Sequence, residues 1–79
     1  MHEADLIFSF SPEIARAVAG ALAPETEAQV PKTRSEVTLA EGAVRVHLVA
    51  EDLSALRAGV NSYARWVEAA ERAAALART

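Results

Sequence analysis

The stretch from Asp52 to Thr79, DLSALRAGVNSYARWVEAAERAAALART, constrains the chain more than any other. Apolar residues fall at Leu53, Leu56, Val60, Tyr63, Val67, Ala70, Ala74 and Ala77, in alternating steps of three and four. That is the spacing of one face of an α-helix. Asp52 is a good N-cap, because its carboxylate can accept from the open N–H groups of the first turn. No proline follows, and Gly59 is the one breaker in the stretch, costing about 1 kcal/mol relative to alanine. A helix from Leu53 to near Arg78 is predicted, about 39 Å long. An eight-residue strand spans only about 27 Å. The last turns of such a helix overhang strands of that length, and an apolar overhang wants a partner.

A second stripe, Ala55, Gly59, Ser62, Trp66, Ala69 and Ala73, lies about a quarter turn from the first. All its members are small except Trp66. Arg57, Asn61, Arg65, Glu68 and Arg72 occupy the remaining face. Two readings of the small-residue stripe stand side by side. It packs against an earlier helix of the same chain, or it receives a partner helix with Trp66 as the buried anchor. In the second reading the partner-binding set is Gly59, Asn61, Ser62, Arg65, Trp66, Ala69 and Ala73. A bulky residue at Gly59 is then expected to weaken binding more than folding.

The remainder reads as four further elements. Residues 3–10 alternate, with Ala4, Leu6, Phe8 and Phe10 on one side and Glu3, Asp5, Ile7 and Ser9 on the other. This is a half-buried strand. Ser11-Pro12-Glu13 opens a helix, with serine as cap, proline at the first position and an acid at the positive end of the dipole. Its expected buried face is Ile14, Ala17, Val18, Ala21 and Leu22, and Pro24 ends it around Ala23. Residues 24–32 hold two prolines and polar side chains, so a mobile loop is expected. Residues 33–50 read as a hairpin turning at Glu41-Gly42, with Gly42 supplying a positive φ. Its core-facing set is Val37, Leu39, Val44, Val46 and Leu48. Arg34, Glu36, Thr38, Arg45, His47 and Val49 face away. The order strand, helix, strand, strand, helix predicts a two-layer α+β domain, βαββα. Three antiparallel strands carry both helices on one face. Leu56, Val60, Tyr63 and Val67 are expected to pack on Leu6, Phe8, Val46 and Leu48.

With 79 residues the chain is one domain, residues 1–79, and marginal on its own. Domains this small add disulfides, metals or oligomerisation. There is no cysteine, and two histidines are too few for a zinc cage, so no cofactor or metal is expected. A homodimer is the remaining support. The mixed outer face and open edges of the sheet are its expected source, with Ile7, Arg45 and Val49 near the contact. A net charge of −3 argues against nucleic acid as the main partner. No uncharged run approaches a membrane span, and the start lacks a basic signal-peptide head, so a cytoplasmic location is expected.

Catalytic motifs are missing from the sequence. It has no Gly-rich phosphate loop and no GxxG between helices, and with two histidines no Ser/His/Asp arrangement is credible. His2 and His47 read as solvated or hydrogen-bonded, and Glu68 and Glu71 as solvated acids. An arginine face made by Arg57, Arg65 and Arg72 is solvated by default, with a minor phosphate contact as its alternative.

The segment Asp52 to Val67, DLSALRAGVNSYARWV, resembles the signature of the small dimeric subunit of the KEOPS complex of archaea and eukaryotes. The residues that carry the likeness are Leu56, Arg57, Ala58, Asn61, Ser62, Tyr63, Arg65 and Trp66. The Ala-Leu-x-Pro-Glu run from Ala21 to Glu25 is similar as well. The resemblance implies a non-enzymatic, archaeal-type scaffold in the complex that forms threonylcarbamoyladenosine on tRNA. It implies binding to helices of a separate catalytic subunit, and dimerisation that joins two such subunits. A small RNA-binding module using the arginine face is the alternative from another class. A paralogue that pairs with the small subunit is the alternative within the family. A minor tRNA contact inside the assembled complex stays open.

Overall fold

The computed structural model describes residues 1–22, 30–40 and 42–77. The predicted end of the first helix at Ala23–Pro24, most of the expected loop, the second half of the Ala21–Glu25 run, Glu41 of the turn and Arg78 lie outside them. The elements are β1 (His2–Ser9), α1 (Pro12–Leu22), β2 (Thr33–Ala40), β3 (Ala43–Ala50) and α2 (Leu53–Ala77). This is the predicted βαββα order. The three strands form one antiparallel sheet in the order β1-β3-β2.

Local chemistry sets the element ends. The Ile14 N–H donates to Ser11 Oγ at 3.4 Å, and Pro12 takes the first helical position. The Ala55 N–H donates to Asp52 Oδ1 at 2.8 Å. That bond, ahead of nearby Lys32, holds the Asp52 carboxyl below its ordinary pKa. Ala40 pairs with Ala43 across the hairpin, and Gly42 has the expected positive φ of 70°. Lys32 is the one non-glycine residue with positive φ, 65°, among the described residues. Its carbonyl accepts from the Glu51 N–H at 3.0 Å and its ammonium sits 3.6 Å from Asp52. The turn before β2 is thereby tied to the start of α2.

One face of the sheet and both helices make the core. Val44, Val46 and Leu48 of β3 are fully buried, joined by Ile14, Ala15, Val18, Leu22, Tyr63 and Val67. Leu6, Phe8 and Val37 pack against this cluster from the two edge strands. Leu39 has the expected inward register but stays 45% exposed, because it lies near the end of edge strand β2.

Two helical faces differ from expectation. In α1 the buried alanine is Ala15, with Ala19 half-buried, while Ala17 and Ala21 are exposed. In α2 the buried line is Ala55, Gly59, Tyr63 and Val67. The predicted Leu56 and Val60 are only half-buried, and Leu53 is 47% exposed. Small Ala55 and Gly59 let the helix backbone lie close to the sheet, and Leu56 and Val60 still pack against the core as expected but from its margin, each with one side left open. The predicted overhang is present. Among the described residues from Glu68 onward, only Ala70 and Ala74 are half-buried, both against the core, and Leu76 is 69% exposed.

Candidate partner-binding surfaces

The predicted partner set separates into three groups. Gly59 lies inside the domain. A Cβ built there would meet Leu48 Cδ1 and Cδ2 and Thr33 Cγ2 at 3.6 Å. Its smallness serves the chain's own sheet, so a bulky residue there attacks the fold, contrary to the expectation above. Ser62 and Trp66 are half-buried. Trp66 packs on the core and meets Tyr63 edge-on, with ring centroids 5.0 Å apart at 78°. Asn61, Arg65, Ala69 and Ala73 are exposed.

The structure adds a surface that the periodicity hid. Leu56, Arg57, Val60 and Asn61 line a shallow groove along α2. At about 100° per residue this groove lies on the opposite flank of the helix from Trp66. Its two aliphatics read as core in the sequence because they belong to the three-four pattern. The visible signal was that the pattern holds more apolar residues than one face can bury. Arg72 of the third face pairs with Glu68 at 3.7 Å, so that face is not uniformly basic.

The other uncovered surface is the outer face of the sheet. Both described helices pack on the opposite face. Ile7 is 67% exposed there, Arg45 is exposed, and Val49 is half-buried. These are the three residues expected near a dimer contact. Between them runs a charge network across the β1–β3 seam. Arg45 donates to Asp5 Oδ1 from Nε at 3.0 Å and from Nη2 at 2.9 Å. His47 places Nδ1 2.8 Å from Asp5 Oδ1 and Nε2 3.1 Å from Glu3 Oε1. The hydrogen bond that Asp5 accepts lifts the His47 pKa above its ordinary value, against partial desolvation. The same bond, with help from Arg45, holds the Asp5 carboxyl below its own. His47 is thus hydrogen-bonded, one of the two states expected for it.

Among the described residues no group of His, Cys, Asp or Glu could hold a metal ion. No described helix is long and apolar enough to cross a membrane.

Among the described residues, fold and surfaces together define a small two-layer βαββα domain with one sheet face and parts of both flanks of α2 left uncovered. Residues 3–75 match the family described as transcription factor Pcc1, and the chain belongs to that family. The family points to a small subunit of the KEOPS complex, in a tRNA-modification or transcription context. A comparison with curated proteins finds no match.

Proposed function

We propose that this chain is a non-catalytic scaffold subunit of an archaeal-type, cytoplasmic KEOPS complex. It binds the catalytic subunit that forms threonylcarbamoyladenosine on tRNA, and it pairs with a second copy of itself. The observation that carries this reading is the family match over residues 3–75, nearly the whole chain. Two features of the fold support it. The uncovered flanks of α2 offer apolar surface to helices of another chain, and the bare sheet face offers a separate contact for a second copy.

Docking on α2 falls to the groove at Leu56 and Val60, with Arg57 and Asn61 at its rim, or to Ser62, Trp66, Ala69 and Ala73 with Arg65 beside them. Gly59 drops out because it faces the chain's own sheet. Two exposed substitutions separate the flanks. Arg57→Glu alters the groove and Ala69→Glu alters the stripe, and neither position supports the core. Calorimetry with the catalytic subunit, run beside a thermal melt, should show one of them weakening binding at least about tenfold with folding unchanged. Normal binding by both variants would sink the α2 assignment. Light scattering that shows a monomer at high concentration would sink self-association. A complex formed only with a paralogous chain would replace the homodimer by a heterodimer.

A further inference from the structure

His47 stands at the centre of the bare sheet face. Its register partners are Asp5 on β1 and Glu36 on β2. Both ring nitrogens face carboxylate oxygens, Nδ1 at Asp5 and Nε2 at Glu3. A carboxylate only accepts, and a neutral imidazole has a single N–H. The arrangement is therefore complete only when both nitrogens are protonated. Glu3 has no other ion pair among the described residues.

The charges around His47 come from all three strands. Glu3 and Asp5 lie on β1, Arg34 and Glu36 on β2, and Arg45 on β3. No helix contributes, since both pack on the other face. With His47 charged, three basic groups balance three acidic ones. With His47 neutral, one carboxylate is left over. Leaving an uncompensated charge under a contact is costly, whereas a balanced network is covered far more easily.

We propose that the bare sheet face is a proton-linked docking surface for a second copy of this chain, which associates with His47 charged and separates as His47 loses its proton. This rests on the self-association reading above. A second copy is the occupant that fits, because the face balances its own charge and so presents no net repulsion to itself. The raised His47 pKa is in line with this, since the proton is already favoured before the face is covered. Covering the face strengthens that preference, so association takes up protons.

The test is the dimer dissociation constant by sedimentation equilibrium from about pH 6 to pH 9, a range that brackets histidine titration. The probe is the chain alone, as wild type and as His47→Gln. The wild-type dimer should weaken with rising pH, by up to about a hundredfold per pH unit if each of two histidines releases a proton. His47→Gln should give a nearly flat profile. Glu3→Gln removes the carboxylate that loses its partner and should also flatten the profile, which covers the case of a poorly folding His47 variant. A wild-type dimer with a flat profile overturns the proton linkage and leaves self-association intact. Equal steepness in wild type and both variants overturns it too, by placing the titrating group elsewhere. A monomer at every pH overturns the self-association reading and this inference with it.

Discussion

The two faces of the sheet are made from the same strands and are held by different physics. On the inner face Val44, Val46, Leu48 and Ala50 of β3 are buried to 1% exposure or less. On the outer face the alternate residues Arg45, His47 and Val49 meet water and the carboxylates of β1. Burial of apolar area stabilises the first, at about 25 cal/mol per Å². Exposed charge contacts hold the second, and such pairs contribute little to folding. The lesson is that one face keeps the domain folded, while the other is free to be tuned for association at small cost to stability.

The largest effect that could break this contrast belongs to the inner side. Tyr63 is 2% exposed, and its hydroxyl shares a 2.6 Å hydrogen bond with Ser35 Oγ. Tyr63→Ala should cost about 3–5 kcal/mol, enough to unfold most of a domain this small. Tyr63→Phe should cost only about 1 kcal/mol, the worth of the hydrogen bond. Urea unfolding followed by circular dichroism measures both. A loss below about 1 kcal/mol for Tyr63→Ala would mean that α2 is not held by this face.

A smaller effect of opposite sign sharpens the same point. A methyl at position 59 meets Leu48 and Thr33 at ordinary contact distance. Gly59→Ala should therefore raise stability by about 1 kcal/mol through helix propensity. A lowered melting temperature would show that the helix lies closer to the sheet than 3.6 Å contacts allow.

The smallest effect sits on the outer face. His47 has a raised pKa in the folded chain, so its contribution to stability is present below its unfolded value. That contribution fades as pH rises through the folded value. Asp5 is lowered, so its contribution is present above its unfolded value and fades as pH falls through the folded one. Chemical denaturation at a series of pH values should show a shallow decline on both sides in the wild type. The alkaline decline should vanish in His47→Gln. A wild-type profile that rises on the alkaline side would refute the sign.

Much of the architecture was legible in the chain itself. Alternation in residues 3–10 and 33–50 set the strands and which of their side chains turn inward, because the pleat has a period of two. Ser11-Pro12 and Asp52 marked the helix starts, because their side chains and ring meet the needs of an open helix end. Gly42 marked the hairpin, because the turn requires a positive φ there. Of the candidate surfaces, Ile7, Arg45 and Val49 were readable as outward by the same alternation.

What only the tertiary structure decided is the rotation of each helix about its axis. In α1, Ile14, Val18 and Leu22 define a line, and Ala15 and Ala21 lie about 60° to either side of it. Nothing in that symmetric pattern says which alanine turns inward, and packing on the sheet selected Ala15. In α2 the hydrophobic stripe predicted burial of Leu56 and Val60, yet Ala55 and Gly59 took the sheet. Periodicity counts apolar residues, whereas close packing rewards the face whose small residues let backbone and sheet approach. That rotation moved Gly59 indoors and left Leu56 and Val60 lining a groove. The charge network was hidden for a related reason. Asp5 lies 40 residues from Arg45 and 42 from His47 in sequence, and only the β1–β3 register brings them to one point on the sheet.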